Sequence, residues 1–577
     1  MYCSGRTDTS ETAESGDQGP ESQHPAPDSG DGRLVSVLLL SAIALRLVYL
    51  LHYRVDSDES QHLHVIWGWS QGLIPYRDFF DNHTPLFHIL CIPAFRFFGE
   101  RPDIIVWMRL LVFPLYLLTL AFTYWIGCAV TNRRAAGWAV LTAALTPFMF
   151  LGTLEFRTDD LWILLWVMTI AVLVMKPPNM VRMLLAGLLL GTAVAVSMKT
   201  VLLLMVLAGA AGSMLFFLRG EDQSPPIRVL AGWGAAMVAG FLIVPCALVA
   251  FFATQHALPQ LAHCVIGHNA VPGAKRDYLR MLFFPLLAWF WIRSMRRTCR
   301  RNPGNAAAQV VVTSANWLYM AILLGFWPVL SNEDFPLWVP FFSIQAAGWL
   351  FPVSGEGKAD TAGIAARIRR SPRFACLFAV ALLMACLAFC QLPWKNHLRD
   401  HVDMVRAALR LTGPDDWVAD NKGETIFRKR STYHVLEKMT KMRFRMGLLE
   451  DDIADRIIAT KTCVALPSTN FPRQARAFLQ GNFISVGPLS VAGQVLSWSS
   501  NASSAPIEFD VAVPARYAVV GESGFVDGVL DGTPFNESRP LSVGHHVFHA
   551  QHPTGPVVLV WANAVDCGYS PFPLHGP

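Results

Sequence analysis

The chain has 577 residues, of which 53% are apolar and only 15% are Asp, Glu, Lys or Arg, against about 25% charged in soluble domains. That deficit excludes a purely soluble or disordered protein. A net charge of +5 is too small over this length for a nucleic-acid binder, which concentrates a basic excess in one domain.

Residues 1–32 are rich in Ser, Gly, Pro, Asp and Glu and carry almost no large apolar side chain, so they cannot offset the entropy of folding. They read as a disordered cytoplasmic tail. Leu34 to Tyr53 is long enough to cross a hydrocarbon layer of about 30 Å and is followed by no small-residue cleavage site, which makes it a retained span. Ten further apolar runs follow, near 104–128, 136–154, 160–175, 181–198, 200–218, 229–253, 278–292, 309–330, 336–351 and 374–392. Pro85 to Gly99 is shorter and holds Pro93 and Arg96, so it reads as an interfacial helix and is not counted.

Lys and Arg mark the cytoplasmic side of a membrane protein. Alternating the loops places Arg133-Arg134, Lys176 and Arg182, Arg219 and Arg228, the run Arg293 to Arg301, and the run Lys358 to Arg373 on that side. The opposite loops hold Asp56, Asp58, Glu59, Asp78 and Asp81, then Glu155, Asp159 and Asp160, then residues 254–277, then Glu333 and Asp334. Counting Pro85 to Gly99 as a span would put Arg133-Arg134 and Glu155 to Asp160 on the wrong sides. Eleven spans put the N-terminus inside and residues 393–577 outside.

Residues 33–392 therefore form one membrane domain, and the remainder changes character. Over 393–500, helical spacing at 401–411, 433–459 and 472–480 alternates with strand-like runs at 416–420 and 462–466, predicting an α/β region. Over 501–577, Ile507, Phe509, Val511 and Val513 alternate with other residues, and Asp527-Gly528 and Asp531-Gly532 offer turns. This region reads as a β-sandwich.

The acidic groups gather on the outward face. Asp58 and Glu59 follow the first span, and Asp159 and Asp160 open the fourth. Cations point to the same face: Arg46 and Arg109 inside spans, Lys199 at an outward turn, and Lys275 and Arg276 in the loop before the eighth run. Ionisable groups at membrane depth are costly and usually pair or line a polar cavity, although a long side chain can also snorkel to the interface. Together these cations could hold a phosphate. His62, His64, His83, His88, His256, His263 and His268 lie in the same loops without a His-Glu-x-x-His pattern, so a divalent metal is a weak hypothesis. Trp67, Trp69, Tyr76, Phe79 and Phe80 fit an interfacial aromatic belt or a sugar-stacking platform equally well.

Asp58-Glu59 after the first span, Gly72-Leu73-Ile74-Pro75-Tyr76-Arg77-Asp78, His83-Thr84-Pro85-Leu86, Phe97-Phe98-Gly99 and Arg109-Leu110 resemble integral-membrane glycosyltransferases of the GT-C class. Bacterial protein O-mannosyltransferases and the aminoarabinose transferases of lipid A are the nearest in pattern. Thr158-Asp159 and Gly187 to Lys199 extend the resemblance, which covers about residues 33–350. It implies a bacterial inner-membrane enzyme that transfers a sugar, with inversion, from a polyprenyl-phosphate donor to a lipid, glycan or protein acceptor on the periplasmic face. Asp58 then resembles the catalytic carboxylate, Glu59 its neighbour, and Asp159 the acidic residue of the second outward loop. Where many relatives read Lys-Pro-Pro this chain has His83-Thr84-Pro85, so the phosphate contact falls to Lys199, Lys275, Arg276 or Arg109. His83, Asp78 and Asp160 are candidates for acceptor or metal contacts.

The residues support this chemistry on their own terms, because an inverting transfer needs a carboxylate base and positive charge on the leaving phosphate. The rival is a polytopic transporter of a lipid or glycan precursor. That would show broken or charged mid-bilayer helices in two related halves, and no such symmetry is visible.

Overall fold

The computed structural model describes residues 29–217, 226–270, 278–301, 306–327, 330–352, 368, 371–497, 506–551 and 555–572. Of the predicted tail 1–32, residues 1–28 lie outside them, as do Lys275 and Arg276, whereas residues 29–32 form the first turn of a helix rather than a disordered end.

Helix α1 (Ser29–His52) leads to two short helices, α2 (Ser57–Ser70) and α3 (Leu86–Phe98), the latter covering the uncounted apolar stretch. Next come α4 (Ile104–Val130), α5 (Arg133–Leu145), α6 (Pro147–Gly152), α7 (Thr158–Val174), α8 (Met180–Val196), α9 (Thr200–Phe217) and α10 (Ile227–Thr254). The run predicted over 136–154 is split into α5 and α6. Pro147 lacks the N–H that would continue α5, and its fixed φ suits it to start a new helix.

After α10 come α11 (Leu258–Ala262), a π turn at His263–Gly267, α12 (Tyr278–Met281) and α13 (Phe283–Arg301). A second π turn, Ser314–Leu318, joins α14 (Ala306–Thr313) to α15 (Tyr319–Phe326), and α16 (Val339–Leu350) and α17 (Pro372–Cys390) complete the bundle. Five of the described helical stretches are long and apolar enough to cross a membrane: Asp31–His52, α4, α10, Ala306–Phe326 and α17. Helices α8 and α10 touch backbone to backbone. A Cβ at Gly191 would stand 2.1 Å from the Phe241 carbonyl oxygen, a contact only glycine permits. At the end of the bundle remote from α2, Asp31 of α1 pairs with Arg134 of α5 and Arg373 of α17.

The remainder packs on the loops at the other end. Its elements are α18 (Arg399–Leu411), β1 (Trp417–Ala419), β2 (Lys429–Arg430), α19 (Lys438–Arg445), α20 (Ile453–Ala459), β3 (Val464–Ala465), α21 (Arg473–Asn482), β4 (Phe483–Val486) and β5 (Leu489–Ser497). There follow β6 (Ile507–Val511), β7 (Ala515–Gly521), β8 (Gly524–Phe525), β9 (Gly528–Leu530), β10 (Thr533–Phe535), β11 (Ser538–Leu541), β12 (Gly544–Ala550), β13 (Val557–Trp561) and α22 (Ala562–Asp566).

Among the described residues these strands make two sheets. One runs β11-β7-β13-β5-β3-β1-β2, with β4 on β5 and β8 on β7, and the other runs β10-β9-β12-β6. The first crosses residue 500: β13 pairs antiparallel with β5, and β1 pairs parallel with β2 and β3. The α/β and sandwich regions therefore share a sheet. Val519 and Leu559 from one sheet pack with Phe509, Leu530 and Phe548 from the other in a common core. Cys463 and Cys567 are free thiols.

Candidate active site

Helix α2 begins at an Asp56 cap, whose side chain accepts from the Asp58 N–H at 2.9 Å, while Glu59 Oε1 accepts the Asp56 N–H at 3.1 Å. This reciprocal box fixes two successive carboxylates in different directions. Glu59 turns inward and is fully buried, accepting from Arg109 Nε at 2.7 Å and from the Phe156 N–H at 2.8 Å. Arg109 also donates to Glu59 Oε1 at 2.5 Å and to the carbonyls of Leu50, Tyr53 and Arg54 at 3.3, 3.1 and 2.7 Å. Those carbonyls are left without helical partners where α1 ends, so Arg109 closes that end and spends all its N–H groups doing so. Sequence assigned Glu59 to the catalytic set and Arg109 to the donor phosphate. The structure seals both into a strut between α1, α2 and α4.

Asp58 turns outward, its side chain 27% exposed. Arg157 Nη2 donates to its Oδ2 at 2.9 Å, and Lys422 Nζ pairs with its Oδ1. Burial alone would raise this carboxyl, but Arg157 and Lys422 outweigh it and hold Asp58 far below the usual carboxylate range. Arg157 lies just before α7 and is the hub of the cluster. Besides Asp58 it meets Asp56 at 3.3 Å, Asp159 at 3.4 Å, Glu155 at 3.5 Å and Glu333 at 3.9 Å. Lys199, in the turn between α8 and α9, meets Asp334 at 2.8 Å and Asp159 at 3.3 Å. Burial would lower this ammonium, yet the two carboxylates raise it above its ordinary value, so it stays charged.

Thus Asp58, Asp159 and Lys199 come together, joined by Arg157 and Lys422. Arg157 carried a signal in sequence, a lone cation inside Glu155-Phe156-Arg157-Thr158-Asp159-Asp160. Lys422 carried none, because the sheet region delivers it from 364 residues away. Asp160, the next residue of α7, is buried apart from the Lys199 pair, and one of its oxygens finds no hydrogen bond among the described residues. Arg46 turns inward, donating to the Phe150 and Thr153 carbonyls at the end of α6 and lying 3.8 Å from the Tyr116 ring centre.

Beside Asp58, one turn along α2, a histidine group forms a polar floor. His62 Nδ1 lies 2.9 Å from His88 Nε2, His83 Nδ1 lies 2.9 Å from Asp81 Oδ1, and the His62 and His83 ring centres are 4.6 Å apart. Burial pushes His88 down to about 4 and His62 well below its ordinary value, so both are neutral near pH 7. These donors pair with one another, and among the described residues no three His, Cys, Asp or Glu side chains are arranged to hold a metal ion.

Asp78 serves its own turn, accepting from the Ile74 N–H at 2.7 Å and pairing with Arg77 at 2.8 Å. The aromatic residues of the first outward loop are partly consumed by packing: Phe80 lies 4.7 Å from His268 and 5.8 Å from Tyr433, between ring centres. A cavity of about 960 Å³ opens at the other end of the bundle, with Thr313, Asn316, Gln345 and Phe374 among its walls and none of the charged cluster.

No protein-family model matches the chain, and no curated protein matches it in sequence. Its fold does match solved structures. ArnT from Cupriavidus metallidurans bound to undecaprenyl phosphate superposes with a TM-score of 0.55 at 12% identity, covering 81% of this chain and 98% of that one. The apo state of the same protein gives 0.55 at 13% identity, over 80% and 98%. The Archaeoglobus fulgidus oligosaccharyltransferase gives 0.47 at 10% identity, over 93% and 96%. With an apolar helical bundle, charged loops gathered at one end and a sheet region docked on them, the chain has the GT-C membrane fold.

Proposed function

We propose that the protein transfers a sugar from a polyprenyl-phosphate donor to an acceptor at the outer face of a bacterial inner membrane, with Asp58 as general base. The observation that carries this reading is Asp58 itself, an accessible carboxylate fixed at the start of α2 and paired with Arg157 and Lys422 in a GT-C fold, with Lys199 joined to the same cluster through Asp159 and Arg157. The matching ArnT was crystallised with undecaprenyl phosphate, which supports a lipid-linked donor. Loop charge supports eleven crossings, with the sheet region outside.

In this reaction Asp58 takes the proton of the acceptor hydroxyl as its oxygen bonds to the sugar C1 from the face opposite the phosphate. The C1–O bond to phosphate breaks, and its electron pair leaves with the polyprenyl phosphate. Inversion at C1 follows. Lys199, paired at present with Asp159 and Asp334, stabilises the charge that develops on the leaving oxygen. A base held as low as Asp58 is weak, so it gains strength when a cation is drawn off it.

The test is mass spectrometry of envelope glycolipids and glycoproteins in a deletion strain complemented with wild type or Asp58→Asn. A sugar-bearing species present with wild type and absent with the variant is the expected result. Identical profiles in both strains would overturn the reading.

A further inference from the structure

The three cations of the cluster differ in how firmly they are held. Arg157 faces five carboxylates and Lys199 two. Lys422 has one carboxylate within ion-pair distance among the described residues, Asp58. It is the cation most free to change partner.

Its position is nevertheless closely built. The buried Asp420 accepts from the Gly423 N–H at 2.9 Å, from the Thr425 N–H at 3.1 Å and from the Thr425 hydroxyl at 2.8 Å, and Arg430 Nε donates to it at 2.9 Å. Glu424 accepts the N–H of Lys422 at 2.7 Å. Gly423 sits at φ +90°, and a Cβ there would lie 2.6 Å from His64 of α2, so the loop is pressed against the helix that carries Asp58. Such a network positions one partly exposed ammonium group over one carboxylate.

Resting on the polyprenyl-phosphate reading above, we propose that Lys422 is a donor-phosphate ligand supplied by the sheet region, and that it leaves Asp58 when the phosphate arrives. The lipid phosphate and the base then compete for a single cation. Donor binding strips Asp58 of one of its two cations and leaves it with Arg157 alone, and an empty site keeps both cations on it.

The experiment measures binding of undecaprenyl phosphate to the full-length protein in nanodiscs, with Lys422→Met, Lys422→Arg, Asp58→Asn and the double variant Asp58→Asn/Lys422→Met. Lys422→Met is expected to weaken binding by about ten-fold or more, the loss of one charge-assisted contact, and Lys422→Arg to stay within a few-fold of wild type. Asp58→Asn should tighten binding several-fold while Lys422 is present and markedly less in the Lys422→Met background, because the gain comes through the released lysine. Equal tightening in both backgrounds would show only the removal of a nearby negative charge, and would overturn the proposal. So would unchanged affinity in Lys422→Met; should that protein lose its melting transition, Lys422→Gln replaces it under the same criterion. A wild type that binds no undecaprenyl phosphate would take down the donor reading as well, which separates the two failures.

Discussion

Asp58 and Glu59 are adjacent carboxylates that should answer mutation in opposite ways. Asp58→Asn removes the proton acceptor and should cut turnover by about 10² to 10⁴, roughly 3 to 5 kcal/mol of barrier, while the protein still folds because Arg157 keeps its four other carboxylates. Capping does not confound this test, because Asp56 and not Asp58 caps α2. Glu59→Gln leaves Arg109 buried without its counter-charge and should cost about 3 to 5 kcal/mol of stability, read as a lower melting point and poor yield.

Glu155 provides a pH signature. Burial and the nearby Glu59 carboxylate push it up to about 8, against the pull of Arg157. A carboxyl raised on folding binds more protons folded than unfolded, so its contribution is complete below the ordinary carboxylate value and is lost as pH climbs through about 8. Wild-type melting temperature should therefore fall between about pH 5 and about pH 9, and Glu155→Gln should flatten that slope. An unchanged slope would show that Glu155 is ionised throughout. These residue types and their common face were legible in sequence. Their partners were not: nothing in residue spacing says that Glu59 turns inward while Asp58 turns outward, or that Lys422 completes the cluster.

At the scale of elements, apolar runs located the helices because a bilayer imposes length and polarity directly. The breaks were harder to foresee. Pro147 splits one run, and the carbonyls freed at the end of α6 become acceptors for Arg46, which sequence alone could equally read as snorkelling. The loop from β1 to β2 is the most exacting connection. Gly423→Ala would place a left-handed backbone angle and a Cβ overlap at the contact with His64, a strain of about 1 to 3 kcal/mol. Weaker docking of the sheet region should result, visible as faster limited proteolysis of residues 393–577 and reduced transfer activity. Proteolysis at the wild-type rate would mean that the loop yields freely.

For the whole molecule, the alternating loops predict an N-terminus inside and residues 393–577 outside. Alkaline phosphatase fused after Pro393 should be active, and fused after Arg301 inactive; the reverse pattern would refute the topology. The described sheet runs across residue 500, with β5 from one side of it paired to β13 from the other. Pairing between strands β5 and β13 is non-local, and strand propensity carries no record of which sheet a strand will join.

The ion pair between Asp58 and Lys422 also sets a clock on biogenesis. The two residues are separated by 364 positions, and at about 5 to 20 residues per second a ribosome needs roughly 20 to 70 seconds to travel from one codon to the other. Throughout that interval α2 has been made and its charged face has no lid. If Lys422 is needed to hold the lipid phosphate, a chain that stops short of its sheet region cannot spend donor, and catalytic competence becomes a report that synthesis has passed the last strand-forming segment needed to hold that loop in place.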